Sequence, residues 1–384
     1  MAGDLEGDTV NGTRTGDHVK FHAYDKNGGT EDLDGTIKDD HLTGTIIWLQ
    51  DGDQPAKAVT HNFTADLILT RAAGTTPARL DFAPTEFHRQ FSSSIPPVLH
   101  LWPGDTLHTT TVDAGGSDEH NVRRSPGGNP ETGPFYIETA WPGDTLAVHI
   151  QHLRLNRDTA ISDNGIVPRG LTPNLAVKTR DNEQDVTWHL DLAKGLATTS
   201  VPGDHLKSYT VPLHPMLGCI ATAPSGSGVA IPTGDSGNFG GNMDFNAVTE
   251  GATVYLPVNV PGALLFLGDA HAAQGDGELN GNALETSMDV EVTVDLISGR
   301  NNYGPRVENT DAIIALGYAG SVDDALREAN ANMASWLATD YKLTPSEYAQ
   351  VLGTAAEIRI TEVADRNAGV AVIIRKDRLA TIAK

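Results

Sequence analysis

The chain has 384 residues, with 50 acidic side chains against 27 basic ones and a formal charge of −23. So acidic a surface repels phosphate backbones and anionic lipid, which excludes nucleic acid and membrane as partners. At 39% hydrophobic residues the composition is globular, no apolar run reaches the ~18 residues a membrane span needs, and the length predicts two or three packed units.

The start, MAGDLEGDTVNG, has neither a basic nor an apolar region of a secretory leader, and the one cysteine, Cys219, has no partner for an internal disulfide. Both features predict a cytoplasmic protein. Cys219 lies in the apolar run MLGCIATA and reads as a buried structural thiol. Forty glycines and 21 prolines imply many tight turns, which suit a β-rich chain.

In chain order, residues 1–78 form a small β-rich extension, with alternating segments at 18–24 and 43–49 and a third strand expected at 65–69. Residues 79–300 read as a β-rich catalytic core. Within it WPGDTL occurs at 102–107 and again at 141–146, with the weaker relative VPGDHL at 201–206. Each Pro-Gly is a type II turn leading into an alternating strand, which predicts facing positions in a sandwich or barrel. Runs 254–260 and 263–267, split by Pro261-Gly262, predict a hairpin. Segment 288–297 alternates Val290, Val292, Val294 and Leu296 with Asp289, Glu291 and Asp295, as a half-buried strand does. Residues 301–384 are an α+β part packed on that core: a helix starting at Ser321 with a cap at Asp324, a second helix from Thr344-Pro345 to about Leu352, and a buried strand at 370–374. The fold class is α+β and mostly β, a sandwich- or barrel-like core with C-terminal helices.

Candidate chemistry clusters in GDAHAAQGDGE, residues 268–278, directly after the buried run ALLFL. Asp269, His271, Asp276 and Glu278 are four potential ligands in a short Gly-rich stretch, and Asp269 and His271 project to one face if the chain is extended. Imidazole with carboxylates suits Zn²⁺, Mn²⁺ or Fe²⁺. Spacing alone leaves an acidic, solvated turn equally open. GNFGGNMDFN (237–246) carries Asn242 and Asp244, and there spacing alone favours a simple turn. Asp113 ends the strand after the first WPGDTL, and Glu138 alternates into the strand before the second; for each alone, solvated surface is the better interpretation. No GxSxG elbow, P-loop or dinucleotide fingerprint is present. The Ser/Gly-rich stretch 225–237 has no lysine near it to activate a serine, since none occurs between Lys207 and Lys342, so it reads as a loop.

Four motifs in the same order, NPETGPFYIETAWPGDTL (129–146), HPMLGCIATAP (214–224), GGNMD (240–244) and YLPVNVPGALLFLGDAHAAQGDGE (255–278), resemble the acetamidase/formamidase family. The similarity runs from about residue 98 to the C-terminus. It implies hydrolysis of a small amide such as formamide or acetamide, a mostly β fold and a homo-oligomer. Carried over by motif, GGNMD places Asp244 at the family site, and GDxHAxxGDGE places Asp269, His271 and Glu278 there. Asp113 and Glu138 match acidic places in its N-terminal sheet motifs. Residues 1–75 precede the matched part, and SDEHNVRRSPGG (117–128) departs from it, which bears on substrate preference.

The expectation is a metal-dependent amidase. Asp269 and His271 are metal ligands, with Asp113 and Glu138 completing the shell of a divalent ion, Zn²⁺ first and Ca²⁺ as the alternative. Glu278 is the general base, and Asn242 and Asp244 position the amide. Two rivals stand beside it: a non-catalytic, Ca²⁺-stabilised β-sandwich that binds a ligand, and a hydrolase of the same family acting on a larger amide or another C–N bond.

Overall fold

The structure is a computed structural model that describes all residues except 1, 6–7, 25–28, 39–40, 51, 53–56, 67–70, 72–74, 180–183, 202–204, 227 and 383–384. Contacts separate two units, Met1–Thr70 and Arg71–Lys384. The first is a six-stranded antiparallel meander in chain order, from Ala2–Leu5 to Val59–Asp66. Its strands His18–Tyr24 and His41–Leu49 contain two of the predicted segments. The third, at 65–69, is met only where Val59–Asp66 ends, because 67–70 lie outside the described residues.

The second unit holds two large sheets. One has nine strands, in the order Glu357–Ile360, Ala368–Arg375, Ala312–Ala319, Arg306–Glu308, Thr253–Pro257, Thr145–Leu155, Met288–Ile297, Thr106–Thr110 and Arg79–Phe82. The other has eleven, and within it Leu265–His271 pairs with Met216–Ala221, with Glu285–Thr286 and with Thr132–Ile137. Period-two patterning explains how they pack. Met288, Val290, Val292 and Val294 are wholly buried and share one apolar core with Leu217, Ile220, Leu265 and Leu267 of the other sheet.

In Ala312–Ala319 the alternation serves both faces of the sheet. Ile314 and Leu316 join the inter-sheet core, while Ile313 and Ala315 pack under the helix Val322–Asp340 with Ala325, Ala329, Met333 and Trp336. Gly317 lets that helix approach, since a Cβ there would strike the helix backbone at Ala325 and Ala329. The helix begins as predicted, with the Ser321 side chain accepting from the Asp324 amide at 3.2 Å. The next helix, Pro345–Ala355, opens with a capping box between Thr344 and Glu347.

With 44% strand and 12% helix the chain is mostly β, and neither sheet closes into a barrel among the described residues. Two local expectations change. The strands entered by WPGDTL do not face one another; both flank Met288–Ile297 in one sheet. The turns themselves repeat, with Asp105 and Asp144 each accepting from the preceding Trp amide at 2.9 Å, and with positive φ at Gly104 and Gly143. VPGDHL has residues 202–204 outside the described set. The predicted hairpin at Pro261-Gly262 is instead a crossover, because Thr253–Pro257 and Leu265–His271 belong to different sheets. Ala263 and Leu264, both at positive φ, turn the chain from one sheet to the other.

Candidate active site

All seven residues of Leu265–His271 are buried, so its two polar side chains have no access to water and must be satisfied within the protein. Asp269 stands opposite Gly218 on the neighbouring strand, whose flanking pairs are Leu217 with Ala270 and Cys219 with Gly268. The glycine is required: a Cβ at 218 would collide with the carboxylates of both Asp269 and Asp244. Asp244 arrives from the GGNMD loop, where its amide and that of Met243 both donate to the Gly218 carbonyl, at 3.1 and 2.8 Å. His271 pairs across the sheet with Glu285.

The result is a carboxylate cluster around one imidazole. His271 Nε2 lies 3.2 Å from Glu285 Oε1, 3.4 Å from Asp269 Oδ2 and 4.0 Å from Asp244 Oδ1. Ligand atoms of Asp244, His271 and Glu278 lie within 4.8 Å of one another, as do those of Asp269, His271 and Glu285. Three of these acids sit in left-handed backbone, with φ of 39° at Asp244, 50° at Asp269 and 47° at Glu278. Such strain at non-glycine residues persists where the surroundings over-determine it, and it concentrates at functional sites.

The electrostatics are those of charges held against their preference. Burial, then repulsion from Glu278 and Asp269, pushes Asp244 well above the usual carboxylate range. Burial does the same to Glu278, opposed by His271 and aided by Glu285 and Asp269. Burial and Asp269 carry Glu285 up to about 8. Burial works against a charged His271, yet Glu285 and Asp269 outweigh it and hold the imidazolium well above its ordinary range. Asp244 Oδ1 and Asp269 Oδ1 are buried without a hydrogen bond. Unpaired buried acceptors around a nitrogen, with the space Gly218 leaves, fit a bound divalent cation.

Asp113 and Glu138 do not join this cluster. Asp113 is neutralised by Arg157, whose Nη2 lies 2.6 Å away with both side chains almost wholly buried, and it also accepts from the Ser117 amide at 2.8 Å. Glu138 is turned to His100, 2.7 Å from its Nδ1. Asp276 leaves the turn outward and pairs with Arg359. Asn242 does reach the site, but its amide donates to Asp244 at 2.6 Å and to Asp365 at 2.7 Å. Both of its N–H donors are thereby committed to carboxylates, so it orders the acids rather than a substrate.

Arg157 also donates to Thr286 Oγ1 at 3.1 Å and to the Thr159 carbonyl at 3.0 Å, bracing the strand that carries Glu285. Arg157→Leu is expected to cost about 3–5 kcal/mol, because it leaves Asp113 buried and unpaired. Urea unfolding of the variant measures this, and a loss below about 1 kcal/mol would show that the pair does not hold this region.

Sequence reasoning missed several acids. Glu285 stands in NALETSMD with no ligand-like spacing, and its neighbour His271 is set by strand pairing. Glu131, wholly buried beside Asp269 and Cys219, is raised well above the carboxylate range by burial and then by Asp269. The only signal for it was its presence in NPETGPF. Burial also raises Asp365 to about 6 and Glu362 to about 8, and nothing in their local sequence marks them. Cys219 is buried, and burial followed by repulsion from Glu131 pushes its thiol up, as expected of an inert structural residue.

Residues 227–356 match the profile of the Acetamidase/Formamidase family. A segment of 67 residues is 45% identical to an acetamidase of Mycolicibacterium smegmatis, covering 17% of this chain and 16% of that protein. Over 273 residues the chain is 25% identical to a formamidase of Methylophilus methylotrophus, covering 57% of this chain and 66% of that protein, so the matched segments span less than two thirds of both relatives. Among solved structures, an acetamidase from Yersinia enterocolitica is similar with a TM-score of 0.70 and 28% identity, over 80% of this chain and 95% of that one. An acetamidase from Bacillus halodurans is similar with a TM-score of 0.65 and 26% identity, over 79% of this chain and 100% of that one. The buried cluster on Leu265–His271, the GGNMD loop beside it and these similarities converge: the chain resembles the acetamidase/formamidase family.

Proposed function

We propose that this protein is a metal-dependent amidase that hydrolyses short aliphatic amides of the formamide or acetamide type to carboxylate and ammonia. The observation that carries this is His271 Nε2 enclosed by Asp244, Asp269 and Glu285 in a buried cluster, in a chain whose relatives are named acetamidase and formamidase. Asp269, His271 and Glu285 would hold the cation, with Asp244 beside them; Glu285 takes the place first given to Asp113 and Glu138. A divalent ion there supplies Lewis-acid polarisation of the amide carbonyl. An imidazole nitrogen among the donors favours Zn²⁺ or a similar ion over Ca²⁺, which prefers oxygen throughout.

Glu278 is the proton carrier in this proposal. It accepts a proton from the water that attacks the amide carbon and delivers it to the nitrogen as the C–N bond breaks, so that amide and water become acid and ammonia. Its raised proton affinity suits both halves of that task, since an ordinary carboxylate would release a proton too readily to protonate an amine leaving group. Asn242, which also donates to Asp365, holds Asp244 in place. Cytoplasmic residence and homo-oligomeric assembly are part of the same proposal, supported by the lone buried Cys219 and by the family. No helix among the described residues is long and apolar enough to cross a membrane.

The test is ammonia release from formamide, acetamide, propionamide and urea, before and after treatment with a chelator. Release from formamide or acetamide that chelation abolishes and Zn²⁺ restores is the expected result. No release from any of the amides with Zn²⁺, Mn²⁺ or Fe²⁺ supplied would overturn the proposal.

A further inference from the structure

We propose that Gln274 is a positioning residue that fixes the proton of His271 on Nδ1 and so presents Nε2 as the lone-pair atom of the cluster. Gln274 follows His271 by three residues, where the chain has left the buried strand, and its half-buried side chain folds back toward the imidazole. The two ends of its amide are chemically distinct, because the nitrogen only donates and the oxygen only accepts. On one side of that amide stand two carbonyl oxygens, those of Asp244 at 2.6 Å and Thr361 at 3.4 Å. Both are acceptors, so the NH₂ group must face them; the flipped amide would set oxygen against oxygen.

Oε1 then faces His271 Nδ1 at 2.9 Å, and that ring nitrogen must be the donor. In the neutral ring the other nitrogen, Nε2, carries the lone pair. It points among Asp244, Asp269 and Glu285, with Glu285 Oε1 nearest at 3.2 Å. A bare lone pair among carboxylate oxygens is repelled, so Nε2 holds there either a second proton or a cation, and with Nδ1–H held by Gln274 it is the atom a metal would take. This part of the inference rests on the metal-dependent reading above. A neutral amide also differs from the carboxylate that often holds a ligating histidine, since it has no capacity to take the Nδ1 proton.

Gln274 serves a second end by tying the Asp244 and Thr361 segments to the strand of His271, and the test separates the two roles. Gln274→Met removes the acceptor and both donors at nearly constant length. Gln274→Glu keeps an acceptor for Nδ1–H and loses the donors. Zn²⁺ affinity is measured by competition with a chromophoric chelator. ¹⁵N-histidine spectra identify the protonated nitrogen of His271, its signal assigned by loss in His271→Gln.

We expect Zn²⁺ to bind the Met variant about 10–100-fold more weakly than the wild type. The Glu variant should stay within a few-fold of wild type, and wild-type His271 should carry its proton on Nδ1. Equal losses in both variants would assign Gln274 to tying segments alone and overturn the proposal, as would a Met variant that binds like wild type. If the wild type binds no divalent cation, the metal reading fails by itself. The metal-free spectrum at alkaline pH then decides the present inference, which an Nε2–H ring would overturn and an Nδ1–H ring would support.

Discussion

Glu278→Gln is expected to lower kcat for acetamide by about 10²–10⁴-fold while KM changes little. The substitution keeps the size of the side chain and removes only its capacity to hold and release a proton. Glu278 is buried beside Asp244 and His271, so water has no ready substitute to offer in its place. The neutral amide also relieves repulsion from Glu285 and Asp269, so the variant should fold at least as stably as the wild type. Loss of turnover in a well-folded protein therefore reports on chemistry. His271→Ala should behave differently, losing turnover together with divalent-cation affinity, because it empties the centre of the cluster. If both variants turn over acetamide at the wild-type rate, the assignment of this cluster is wrong.

The second large effect concerns pH. Asp244, Glu278, Glu285, Glu131, Glu362 and Asp365 all bind protons more tightly folded than unfolded. A group raised in this way contributes stability that is fully present below its unfolded pKa, near 4, and is lost as pH rises through the folded value. For Asp365 that value is about 6, and for Glu285 and Glu362 about 8. His271 is raised too and acts in the same direction, its contribution present below about 6.5 and lost above. The exposed Asp81 and the buried Asp118, each with cationic or backbone donors beside it, are shifted downward and have the opposite sign, but their effect is complete by about pH 5.

Chelator-treated protein should therefore lose thermal stability steadily between about pH 5 and pH 9, with each unit of pKa shift carrying about 1.4 kcal/mol. A divalent cation favours the deprotonated acids and should restore more stability at pH 9 than at pH 6. Unfolding temperatures across that range, with and without Zn²⁺, measure both effects. Metal-free stability that rises from pH 6 to pH 9 would contradict the description of the cluster.

How much of this was legible in the sequence depends on the distance over which each feature is decided. Alternation at 288–297, the Ser321 cap and the Pro-Gly turns follow from steric and hydrogen-bonding rules that act within a few residues, and the structure has each of them. Asp269 and His271 were found because both lie on one strand, where two residues of spacing bring side chains to the same side. The hairpin expected at Pro261-Gly262 failed because a turn motif specifies a change of direction but not which sheet receives the next strand.

What the sequence by itself determined is therefore the β-rich class, the C-terminal helices, the family resemblance and the strand that carries the centre of the site. Only the tertiary structure decided which acids surround that centre. Glu285 reaches His271 by strand register, Asp244 through the space above Gly218, and Asp365 through Asn242. Asp113 and Glu138 were equally acidic and equally well placed in their motifs, yet Arg157 and His100, distant in sequence, engage them elsewhere. The physical reason is that a buried carboxylate takes its role from the charge and hydrogen-bond donors beside it, and those neighbours are chosen by packing across the sheet rather than along the chain.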